Sequence, residues 1–121
     1  MKFLIIASYL QSVTNFRGKL IDEILLKGFK VHVICPVLSK ENKSYTELKG
    51  RNVIVHEIKL SRAGLNPFSD LLYIHRLYFL LKHIKPDYVL SYTIKPVIYG
   101  TLISHFVGIP NVYAIITGLG F

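Results

Sequence analysis

The sequence predicts an α/β domain, a parallel sheet of about five strands with helices on both faces. Three observations carry that expectation. Short apolar runs alternate with helical patterns along the chain. The runs are too continuously apolar, or too rich in β-branched residues, for half-exposed strands. Glycine or proline stands at most of the boundaries between them.

Taken in order, Lys2 to Ser8 is a short apolar run suited to a strand buried on both faces. From about Phe16, the apolar residues Leu20, Ile21, Ile24 and Leu25 recur with helical spacing, and Gly28 stands where a left-handed C-terminal cap belongs. Lys30 to Cys35 is a β-branched run closed by Pro36, which completes a strand-helix-strand unit. Leu38 to Gly50 is polar, with a short helical pattern around Tyr45 to Leu48, and Val53 to Ile58 reads as a third strand. Asn66 and Pro67 open a long helix in which Leu71, Ile74, Tyr78, Leu81 and Ile84 are expected to share the buried face, and Pro86 stops it. Tyr88 to Ser91 is a fourth strand, Val97 to Val107 a fourth helix ending at Gly108, and Val112 to Ile116 a fifth strand after Pro110. Strict alternation implies right-handed crossovers and a Rossmann-like sheet, and it excludes a helical bundle or an all-β sandwich.

The 121 residues suit one domain with one core, and 51% hydrophobic residues exclude a disordered chain. The formal net charge of +8 favours phosphate-bearing partners without choosing among nucleic acids, anionic lipids, lipid diphosphates and nucleotide sugars. Cys35 is the single cysteine, so no intrachain disulfide and no cysteine-rich metal site can form. The opening MKFLIIASYL has the look of a short signal sequence but lacks a small-residue cleavage site before Gln11. No run reaches the roughly 18 to 20 apolar residues that cross a bilayer.

In an open parallel sheet, ligands bind beyond the carboxyl ends of the strands, so the loops after the strands hold the candidate site. The first loop carries Ser12, Thr14, Asn15 and Arg17; the third, Ser61, Arg62 and Asn66; the fourth, Thr93 and Lys95; the fifth, Thr117, Gly118 and Gly120. Three cations and several small donors on one edge suit a phosphate or diphosphate, bound by guanidinium forks, a lysine point charge and helix amino ends. Neither G-x-G-x-x-G nor G-x-x-x-x-G-K occurs in the first loop, which removes the dinucleotide and P-loop signatures. The five histidines, His32, His56, His75, His83 and His105, lie within strands or helices without metal-ligand spacing, and no metal or cofactor is expected. No serine, histidine and acid stand together on the favoured loops, so a hydrolytic triad has no support.

In its SRAGLNPF, SYTIKPVIYG and ITGLGF segments the chain resembles the amino-terminal domain of GT-B glycosyltransferases of family 4, closest to the capsular and O-antigen polysaccharide group. The likeness also takes in Lys85, Pro86 and Asp87 before the fourth strand and Gly108, Ile109 and Pro110 before the fifth. The resemblance implies that residues 1–121 form one half of a GT-B fold, the acceptor-side domain, with a carboxyl-terminal donor-binding domain outside this chain. It implies transfer, with retention and without a metal, of a hexose or N-acetylhexosamine from a nucleotide sugar, a UDP-sugar in the first instance. The implied acceptor is an undecaprenyl-diphosphate-linked saccharide, at the inner face of the bacterial cell membrane. On this chain it assigns Arg62 and Asn66 to the third-strand loop block, Thr93, Lys95 and Gly100 to the fourth, and Gly118 and Gly120 to the glycine turn facing the cleft. Two departures stand out: many relatives have a glycine-rich first loop where this chain reads SYLQSVTNF, and many have a histidine where Thr117 stands.

Two other readings compete with an enzyme domain. One is a subunit that joins a separately encoded catalytic partner. The other is a basic nucleic-acid binder, which the scattered cations and the lack of an RNA-binding aromatic signature or a helix-turn-helix pattern disfavour. The helix containing Tyr73, Arg76, Tyr78, Phe79 and Lys82 reads first as a core-packed helix with snorkelling cations, and alternatively, together with His105 and Phe106, as a surface for docking on an anionic membrane.

Overall fold

A computed structural model of the chain describes residues 1–7, 19–35, 43–59 and 67–115. Strand β1 spans Lys2–Ile6, helix α1 covers residues 19–26, β2 is Lys30–Cys35 and α2 is Lys43–Gly50. Then follow β3 (Ile54–Glu57), α3 (Pro67–Ile84), β4 (Tyr88–Tyr92), α4 (Ile94–Val107) and β5 (Asn111–Ile115). The strands form one parallel sheet in the order β3-β2-β1-β4-β5, with Phe3 opposite Val31 on one side and Tyr88 on the other. This is the expected α/β Rossmann-like fold. β1 is central and pairs on both sides, which is why it reads as a continuous apolar run.

The period-two alternation of the strands splits the core into two layers. Ile5, Ala7, Val31 and Val33 face α1 and α2, where Ile21, Ile24 and Leu48 are buried against them. Leu4, Ile6, Ile34 and Val89 face the opposite way, toward Tyr73, Leu77, Leu81 and Ile84 of α3 and Ile103 of α4. Helices therefore cover both faces, and the crossover changes sides between α2 and α3.

The buried face of α3 differs from the expected one. Leu81 and Ile84 are buried as anticipated, but the stripe continues through Leu77, Tyr73 and Asp70, and Leu71 is 66% exposed. α3 is apolar on more than one face, so periodicity alone leaves its rotation open; packing on the sheet chose the stripe that contains a carboxylate. α4 begins three residues earlier than expected, at Ile94, because Lys95 and Pro96 fit its first turn, where a missing proline N–H is harmless.

Ordinary chemistry closes the helices at the far edge. Gly108 (φ 89) caps α4 in the left-handed region, its N–H reaching the Ser104 and His105 carbonyls, and Gly28 (φ 86) stands in the same conformation after α1. Lys2 Nζ donates to the Ile84 carbonyl at 2.8 Å at the end of α3, and the Lys2 N–H donates to Asp87 Oδ2 at 2.8 Å. Gly100 has a different task. A Cβ there would lie 2.5 Å from Ser91 Oγ and 3.0 Å from Ile6 Cδ1, so the bare backbone lets α4 sit close on β4 and β1.

Candidate functional site at the carboxyl ends of the strands

The strand order reverses direction at β1. Its chain continues to β2 on one side, whereas its other neighbour is β4, and the associated helices lie on opposite faces. Such a switch point opens a crevice beyond the carboxyl ends of β1 and β4. At the carboxyl end of β4 stand Thr93, which directly follows the strand, and the first turn of α4.

Of the residues proposed from the sequence, Thr93 and Lys95 are described here. Asn15 and Arg17, Arg62 and Asn66, and Thr117, Gly118 and Gly120 lie outside the described residues. Thr93 is the N-cap of α4 and holds φ 69 and ψ 160, a conformation almost confined to glycine that costs a β-branched residue about 1–3 kcal/mol. Its carbonyl accepts the Val97 N–H at 3.0 Å, so the strained residue still starts the helical hydrogen bonding.

Lys95 does not stand as a bare cation. Its Nζ donates to Asp70 Oδ1 at 3.0 Å, and the Tyr99 hydroxyl donates to Asp70 Oδ2 at 2.8 Å. Lys95 and Tyr99 are one turn apart on α4 and share a face, which lets both reach the single carboxylate on the first turn of α3. Asp70 is 7% exposed, and its position near the amino end of α3 favours negative charge. The Tyr99 hydrogen bond, followed by that from Lys95, holds the Asp70 carboxyl below its ordinary range against the opposing push of burial. The same bond raises Tyr99, whose proton Asp70 retains. The trio joins a carboxylate, an ammonium and a phenol, whose charges balance.

Asp70 and Tyr99 escaped the sequence reading. The signal for Asp70 lay in its phase: it stands three and seven residues before Tyr73 and Leu77, inside the buried stripe. A carboxylate in such a stripe demands a partner.

The remaining reactive groups lie elsewhere. His32 Nδ1 and His56 Nε2 are 2.9 Å apart, one donating to the other, between β2 and β3. Burial, then His56, Lys2 and Lys30, lower His32 to about 4; burial and then His83 lower His56. Among the described residues no group of three or more metal-ligating side chains could hold an ion. Burial, with Glu57 adding to it, raises the Cys35 thiol to about 12, so it is a core residue and not a nucleophile. On the outer side of α3 and α4 runs an open groove of about 430 Å³, lined by Leu71, Ile74, His75, Tyr78, Leu102, Ile103 and Phe106.

Comparison with known proteins agrees with this geometry. Over 112 residues the chain is 33% identical to a Campylobacter jejuni enzyme, N,N'-diacetylbacillosaminyl-diphospho-undecaprenol alpha-1,3-N-acetylgalactosaminyltransferase. The match covers 90% of this chain and 28% of that enzyme, so the chain spans under a third of the relative's length. Among solved structures, MurG from Acinetobacter baumannii superposes with a TM-score of 0.69 at 19% identity, over 93% of this chain and 33% of MurG. UDP-GlcNAc 2-epimerase from Neisseria meningitidis, bound to UDP-GlcNAc, gives 0.67 at 18% identity, over 95% of this chain and 31% of the epimerase. At those identities the structures speak for the fold alone. The profile of glycosyl transferase 4-like proteins matches residues 7–121, nearly the whole chain, and the chain belongs to that glycosyltransferase family.

Proposed function

We propose that the chain is the acceptor-side domain of a glycosyltransferase that moves a hexose or N-acetylhexosamine from a nucleotide sugar to a lipid-diphosphate-linked saccharide, in the synthesis of a surface polysaccharide. The observation that carries this reading is the likeness, across 90% of the chain, to an enzyme named for adding N-acetylgalactosamine to a diphospho-undecaprenol-linked sugar. The donor, a UDP-sugar, is assigned mainly to a second domain outside these residues, and Lys95 to contact with the acceptor diphosphate. Its ammonium has three N–H donors, and among the described residues it spends one on Asp70. The direct test is to incubate the full-length enzyme with a panel of nucleotide sugars and lipid-diphosphate acceptors. Transfer to lipid-diphosphate saccharides supports the reading, and transfer only to soluble acceptors refutes it.

A lipid-linked acceptor requires the domain to work at a membrane surface. No described helix is long and apolar enough to cross one, and contact of this domain with the membrane is assigned to its surface. The outer faces of α3 and α4 support this assignment. Ile94, Ile98, Leu102 and Phe106, each four residues apart, are exposed along α4, with Phe106 at 74%; Phe68 on α3 is 87% exposed. Arg76 and Lys82 on α3 add cations, each worth roughly 1 kcal/mol beside an anionic leaflet. In flotation assays the protein is expected to bind anionic vesicles, to release as salt rises, and to bind less when Arg76 and Lys82 are neutralised together. Equal binding to neutral and anionic vesicles removes the electrostatic part of the assignment.

A further inference from the structure

We infer that Asp70 is a positioning residue for acceptor binding: it holds the Lys95 ammonium at the carboxyl edge of the sheet, with Tyr99 locking the carboxylate in place. The inference rests on the assignment of Lys95 to the acceptor diphosphate and deepens it by naming the groups that aim the lysine.

A lysine on a free four-carbon stem samples many rotamers, and ordering it on a ligand consumes part of the binding energy. Here the ordering precedes the ligand. Asp70 Oδ1 accepts from Lys95 at 3.0 Å, while Oδ2 is committed to Tyr99 at 2.8 Å, so the carboxylate cannot rotate without losing one of two hydrogen bonds. The Lys95 side chain is thereby pinned in a 16% exposed position on the first turn of α4, directly after β4. The strained Thr93 sets the direction of that turn.

Stability alone gives no reason for this arrangement. The surrounding packing between α3, α4 and the sheet is apolar, through Tyr73, Leu77 and Ile103, and an apolar trio in place of the polar one would serve cohesion at least as well. A charge pair kept in an apolar contact at the ligand edge fixes a geometry. It also screens the ammonium, so that a singly charged anion gains less from it than a diphosphate, whose two charged groups can accept from the two N–H donors that Asp70 leaves.

The experiment uses the full-length transferase with its nucleotide sugar and a lipid-diphosphate acceptor, comparing Lys95→Ala, Asp70→Asn, the double variant, Asp70→Glu and Tyr99→Phe. Asp70→Asn keeps the side-chain shape and removes the charge. It is expected to raise the acceptor KM about fivefold to tenfold with the donor KM unchanged, and the double variant to be no worse than Lys95→Ala alone, because Asp70 acts through the lysine. Asp70→Glu is expected to recover part of the loss, and Tyr99→Phe to raise the acceptor KM about twofold. If Lys95→Ala leaves the acceptor KM at the wild-type value, the assignment of Lys95 itself fails. If Lys95→Ala raises it but Asp70→Asn and Tyr99→Phe do not, or if the Asp70 and Lys95 effects add independently, the positioning role fails and the Lys95 assignment stands. A loss of thermal stability with donor and acceptor KM rising alike marks a purely structural pair and also overturns the inference. Should Asp70→Asn not fold, Tyr99→Phe and Asp70→Glu carry the same comparison.

Discussion

Gly100 lies within the segment most characteristic of the family resemblance, yet the structure gives it a packing task that a four-variant cycle can measure. An exposed helical glycine replaced by alanine gains about 1 kcal/mol. Here the added Cβ would stand 2.5 Å from Ser91 Oγ and 3.0 Å from Ile6 Cδ1, with Ser91 and Ile6 both fully buried. Both obstructing atoms are side-chain ends that can turn, so the overpacking cost falls near the lower half of the usual range, about 1–2 kcal/mol. Gly100→Ala alone is therefore expected to be neutral or to destabilise by about 1 kcal/mol, the helix gain offsetting part of the clash. Ser91→Ala removes the nearer obstacle and also a buried hydroxyl that has no hydrogen-bond partner among the described residues, so by itself it costs little. With the serine oxygen gone, the same glycine substitution is expected to stabilise by several tenths of a kcal/mol, a coupling of about 1 kcal/mol between the sites. Thermal unfolding of the four proteins reads this as several degrees of difference in the effect of Gly100→Ala. An equal shift in Tm in both backgrounds would refute the reasoning, since it would mean that α4 does not press on β4 at this residue.

Two further predictions concern titratable groups. The folded pKa of His32 lies near 4, below the 6.5 of a free imidazole, so the unfolded chain takes up a proton that the folded chain refuses. The resulting stability is fully present above about pH 6.5 and is lost as pH falls toward 4; the shift alone corresponds to about 3 kcal/mol, and sharing with His56 and nearby solvent reduce it to about 1–2 kcal/mol. Denaturant midpoints measured across that range should fall more steeply for the wild type than for His32→Leu, and parallel curves would contradict the account. Cys35, buried and with its thiol raised to about 12, should resist alkylation at pH 8 in the folded protein and react promptly in denaturant. Fast labelling of the native chain would show that this part of the core opens.

Strand identity and order along the chain were legible in the residues because each signal was local. A central parallel strand must be apolar on both faces, and Lys2 to Ile6 and Lys30 to Cys35 show that without reference to their neighbours. Gly28 and Gly108 mark helix ends because positive φ excludes most other residues, and Pro96 fits a first turn for a reason equally local. The alternation of strand and helix placed Lys95 at the carboxyl edge of the sheet, and the likeness in SYTIKPVIYG is what proposes a ligand for it there. Other properties needed the third dimension. The rotation of α3 was set by the sheet, since a helix with apolar residues on several faces has more than one face to bury. The state of Lys95 was set by a carboxylate 25 residues earlier in the sequence, and that of Asp70 by a hydroxyl 29 residues later. The spacing puts Lys95 and Tyr99 on one face of α4, but nothing in it announces that Asp70 meets them, because the carboxylate lies on α3, brought beside α4 by the β-strand between them. The chain thus carries its fold in short-range pattern and solvent preference, whereas the charge balance at the carboxyl edge of its sheet arises only from contacts that the completed sheet brings within hydrogen-bond distance.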